Sequence, residues 1–123
     1  MPPRSGNLFN DTRPPPTGEV FEDVLRCDLK GAPPGGRVRI ERIISSASPE
    51  PVLYDQPHDE WVALLQGRAR LWVDGAERVL GPGDWIFIPA HTPHRVVETT
   101  ASPPCVWLAV HLGEALDLLS PGP

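Results

Sequence analysis

Residues 81–94 read GPGDWIFIPAHTPH, a short apolar run caught between two turns. Proline and glycine at both ends deny the run a helix, and GPGDWIFIPA (81–90) reads as a buried strand framed by turn residues. Asp84 is placed to accept backbone N–H groups within its own Gly-Pro-Gly-Asp turn. His91 falls inside the second turn, where a hydrogen bond to a backbone carbonyl would brace it. His94 opens the next strand, HRVVETT (94–100).

The same punctuation holds on either side. WVALLQG (61–67) and ARLWVDGAERVL (69–80) read as strands, with Asp74-Gly75 as a hairpin turn because both turn positions need positive φ. CVWLAVHL (105–112) is a further strand. RVRIERIIS (37–45) alternates with period two: Val38 and Ile40 share one face, Arg37, Arg39 and Glu41 the other, as in a half-buried strand with its charges in solvent. GEALDLL (113–119) alone offers a helical turn. Short strands without βαβ alternation predict an all-β, antiparallel sandwich or barrel over residues 19–120. Residues 1–18, rich in proline, read as a flexible arm with Leu8-Phe9 as an anchor.

The 123 residues suffice for one core, and the 17 prolines and 11 glycines leave little room for helix. A net charge of −5 with scattered arginines excludes a general nucleic-acid surface. No apolar run reaches the ~20 residues of a spanning helix, and no signal-peptide core is visible, so a cytoplasmic protein is expected. Cys27 and Cys105 lack CxxC spacing and are expected as free thiols.

YDQPHDEWVALLQG (54–67) gathers the chemistry. In an extended chain Tyr54, Gln56, His58 and Glu60 share a face with Val62 and Leu64. If the last two fill the barrel, Glu60 points inward at its mouth, where a carboxylate needs a metal or a donor.

The order of these pieces resembles the cupin family, antiparallel jelly-roll β-barrels with two motifs, G-x5-H-x-H-x3–4-E-x6-G and G-x5-P-x-G-x2-H-x3-N. Glu60 followed by Gly67 matches the end of the first motif; Gly83, Pro89 and His94 match most of the second. The resemblance covers about residues 37–112. Tyr54 and Gln56 stand near the first motif's two histidines, His91 replaces a glycine, and Glu98 replaces an asparagine.

The resemblance implies a divalent transition metal (Fe, Mn, Ni, Cu or Zn) held by Glu60 and His94, with His58 and Gln56 as substitute ligands. A carboxylate with imidazoles and open positions suits such ions. Tyr54 and His111 are the candidates for moving a proton, although His111 also reads as a core histidine beside Trp107 and Ala109.

Two functions follow. One is a small metal-dependent enzyme of oxygenase or isomerase type acting on a small organic substrate. The other is a non-catalytic barrel binding a small molecule or a metal. A homodimer is expected, because Trp72 and Ile43 read as apolar groups on outward faces and the Leu8-Phe9 arm could reach a partner.

Overall fold

The computed structural model describes residues 2–28 and 36–113. Eight strands follow one another: β1 (Glu19–Asp28), β2 (Arg37–Ser45), β3 (Asp59–Gln66), β4 (Ala69–Val73), β5 (Ala76–Leu80), β6 (Trp85–Ile88), β7 (His94–Thr99) and β8 (Cys105–Leu112). All pairings are antiparallel. One sheet has the order β1-β2-β8-β3-β6, the other β5-β4-β7. The non-sequential neighbours β2-β8 and β3-β6 are the long crossings of a jelly roll. Past Gly113, the expected helical turn at 113–119 lies outside the described residues.

Turn chemistry places the corners. Asp74 and Gly75 both take positive φ (46° and 90°), the geometry the β4–β5 hairpin needs. Asp84 accepts from the backbone N–H of Gly81 at 2.8 Å, as its turn predicts. An isolated bridge joins the segment before β3 to the start of β7, with Tyr54 N donating to His94 O (2.8 Å) and His94 N to Tyr54 O (3.0 Å). The segment before β3 is thereby held against β7.

The core fills the closed end. Leu64, Cys105 and Ala109 are fully buried and pack with Val62, Leu71, Ile88 and Trp107 from both sheets. Trp107 settles its indole N–H on Ser45 Oγ at 3.0 Å, as a buried tryptophan must.

β2 is turned over relative to its sequence reading. Its period of two is real, but Arg39, Glu41 and Ile43 line the barrel interior. Ile40 lies outside, in a cross-strand row with Val110, Trp61 and Phe87. Alternation shows that two faces exist, not which one is inward, and here the polar face closes a polar mouth. Ile43 therefore cannot be an outward apolar group. Trp72 does point away from the core, with the Arg95 guanidinium 5.8 Å over its ring.

Candidate functional site

One row of the large sheet builds the floor of the mouth. Arg39 pairs with His111, His111 with Glu60 and Glu60 with Ile88, so their side chains stand side by side on the inner face. The small sheet contributes His94, Val96 and Leu71 from the opposite side. Between them lies a cavity of about 310 Å³, a size suited to a small ligand. Its depth is apolar, and four carboxylates, Glu19, Glu41, Glu50 and Glu60, border it.

Glu60 and His94 do meet, as the motif implies. They are 6% and 8% exposed, and His94 Nε2 lies 3.9 Å from Glu60 Oε1. His94 Nδ1 is 2.8 Å from the Thr92 carbonyl. A carbonyl only accepts, so Nδ1 carries the hydrogen, and Nε2 is the ring nitrogen that faces the carboxylate. Tyr54 stacks on the His94 ring with centroids 5.6 Å apart. Gln56 borders the same cavity, and its Oε1 is buried without a partner.

His58 is placed elsewhere. Its Nε2 lies 2.9 Å from His111 Nδ1, and His111 Nε2 lies 2.9 Å from Glu41 Oε1. Carboxylate and two imidazoles thus form a chain from the cavity wall to the half-buried His58. Burial and then neighbouring His111 push the His58 pKa down, which favours its neutral form. Among the described residues no three His, Cys, Asp or Glu side chains gather into a metal-holding group. His91 is exposed; its ring contacts Asp55 Oδ1 at 3.2 Å rather than a carbonyl, while its backbone N–H donates to Gln56 O.

The four carboxylates act on their neighbours. Burial, then Glu19, Glu50, Glu60 and Glu41, raise the Tyr54 pKa, so its phenol keeps its proton. Burial and then Glu50 raise that of Glu19. Of the two proton candidates, Tyr54 offers a held hydrogen, whereas both nitrogens of His111 are engaged within the protein.

Arg39, Glu41 and Glu19 were missed from sequence. The consecutive Ile43-Ile44 pair was a signal that β2 has apolar residues on both faces, which weakens any assignment of its charges to solvent.

The comparisons agree with this architecture. A Cupin domain family model matches residues 44–111. A crystal structure of a proposed mannose-6-phosphate isomerase from Ralstonia eutropha JMP134 is 44% identical, covering 92% of this chain and 100% of that one, with a TM-score of 0.75. TT1209 from Thermus thermophilus shares the fold at 20% identity, covering 84% and 90% of the two chains, with a TM-score of 0.68. Quercetin 2,3-dioxygenase from Bacillus subtilis (strain 168) is 42% identical over 41 residues, which are 33% of this chain and 12% of the dioxygenase. The chain belongs to the cupin family.

Proposed function

We propose that this barrel binds one divalent transition metal between Glu60 and His94, beside a cavity that takes a small organic ligand. One observation carries the reading: a buried carboxylate and a buried imidazole nitrogen, which is an acceptor in the neutral ring, face each other at 3.9 Å, and among the described residues neither has another side-chain partner at those atoms. Bonds of about 2.1 Å to nitrogen and to oxygen sum to about 4.2 Å, so a single ion can touch both. The orphaned Gln56 Oε1 is the third acceptor on the same cavity. Such an ion would serve as a Lewis acid toward an oxygen of the ligand. Tyr54, stacked over His94, is the protein's proton donor at the site.

The 44% identical neighbour named as an isomerase and the short match to a dioxygenase both support an enzyme. Free Cys27 and Cys105 are in keeping with the cytoplasm, and no described helix is long and apolar enough to cross a membrane. Elemental analysis of untagged protein, followed by calorimetric titration with Mn, Fe, Ni, Cu and Zn, should return about one ion per chain. No metal and no heat with any of the five would sink this reading.

We further propose a two-fold homodimer through the outer face of the large sheet. The row Ile40–Val110–Trp61–Phe87 carries no charge. Trp85, 61% exposed, stacks on Trp61 with centroids 6.1 Å apart. An uncharged row of this kind fits the same row of a second copy better than a charged partner. Sedimentation equilibrium should give twice the 13.5 kDa chain mass, and Trp85→Glu should give the monomer. A wild-type monomer at micromolar concentration would end the proposal.

A further inference from the structure

Among the described residues, three buried side-chain atoms lack a hydrogen-bond partner: Arg39 Nε, Gln56 Oε1 and Glu19 Oε1. All three residues border the one cavity. Folded proteins leave few buried polar groups unpaired, so three around a single cavity mark partners that a ligand supplies. Arg39 Nε needs an acceptor. Gln56 Oε1 and Glu19 Oε1 need donors.

Charge narrows the acceptor. Among the described residues Arg39 is the only lysine or arginine on the cavity, against four glutamates. Its guanidinium forms no ion pair among the described residues, although Glu41 stands two residues along the strand and His111 directly across. A guanidinium so placed is matched by a planar carboxylate, which it can grip through two parallel hydrogen bonds. A phosphate ester, with a charge of about −2, would meet four carboxylates with a single cation to offset it. The apolar depth, with Trp107 and Val62, leaves room for a hydrocarbon or aromatic body.

We propose that the cavity selects a small monocarboxylate carrying a hydrogen-bond donor, a hydroxyl or an ammonium, with its carboxylate on Arg39 and its donor on Glu19 Oε1, or on Gln56 Oε1 when no metal holds that atom. This deepens the ligand half of the function proposed above. It rests on the cavity and not on the metal.

Calorimetry on the full chain tests it with two matched series: mandelate, phenylglycine, phenylacetate and mandelamide, then lactate, alanine, propanoate and lactamide. Each is titrated with EDTA present and again after loading Mn²⁺. The expected result is that a hydroxy or amino acid of at least one series binds in EDTA at least ~tenfold more tightly than the amide lacking its carboxylate. The analogue without a donor should bind more weakly. Arg39→Gln should abolish the preference for carboxylate over amide, Arg39→Lys should retain part of it, and the exposed Arg37→Gln should leave it intact. Hydroxy and amino acids are separated by which binds more tightly.

Equal binding of acid and amide, an unchanged preference in both Arg39 variants, or no binding by either series would overturn the proposal. Binding that needs Mn²⁺ and ignores Arg39 would overturn it too, while supporting the metal. An Arg39-dependent preference in EDTA together with no metal uptake would leave this proposal standing and remove the metal.

Discussion

Gly67→Ala is expected to lower the stability of the fold by about 3 kcal/mol. Gly67 closes β3 with φ of 87°, where an alanine pays about 1–2 kcal/mol for the left-handed conformation. Its Cβ would also lie 2.8 Å from Cys105 Sγ, 2.9 Å from Thr100 Oγ1 and 3.0 Å from Cys105 Cα. None of these can give way easily. Cys105 Sγ is bonded to the Arg68 carbonyl at 3.1 Å, and Thr100 Oγ1 joins Arg68 N to the Pro103 carbonyl. Overpacking such a corner adds about 1–3 kcal/mol. Gly75 and Gly83 have similar φ values, but their Cβ positions meet nothing within 4 Å. Gly75→Ala and Gly83→Ala should therefore cost only about 1–2 kcal/mol. Urea denaturation of the three variants checks the contrast, and equal losses would show that crowding at Gly67 contributes nothing.

Glu60→Ala and His94→Ala should each weaken metal binding by more than ~100-fold, since even outer-shell losses cost 10–100-fold. Each removes one of the two acceptors that meet at 3.9 Å. His58→Ala should leave affinity nearly unchanged, because its Nε2 is occupied by His111 and His58 is not among the residues bordering the cavity. Acidification has a definite sign: an imidazole must be unprotonated to bind metal, so affinity falls as pH drops. Competition against a chromophoric chelator, repeated from pH 8 down to pH 5, reads all of this. A His58→Ala loss as large as that of His94→Ala would return His58 to the metal. A flat pH response would remove imidazole from the site.

Seven of the eight strands, the Asp74-Gly75 hairpin, the Asp84 turn and the Glu60–His94 pair were legible in the sequence; β1 (Glu19–Asp28) was not read as a strand. Each rests on local chemistry or on a motif with fixed spacing. Arg39 and Glu41 were not, because period two cannot tell the inner face of a strand from the outer. The His58–His111 contact joins residues 53 apart and exists only through the β3–β8 register, which sets Glu60 against His111. Ordering Tyr54 and Gln56 at the mouth needed the bridge from Tyr54 to His94, and no local pattern announces a two-residue ladder.

Arg42 holds the stretch before β1 in a way that bears on how the chain can evolve. Its guanidinium, 10% exposed, donates to the carbonyls of Leu8, Asn10 and Asp11 and to the Glu22 carboxylate. Three of those four partners are main-chain oxygens, which every amino acid possesses. Substitutions at 8, 10 and 11 can accumulate without disturbing the grip, whereas Arg42 itself has no substitute with the same fork of donors. Drift should therefore be rapid along the arm and nearly frozen at the residue that reads only its backbone.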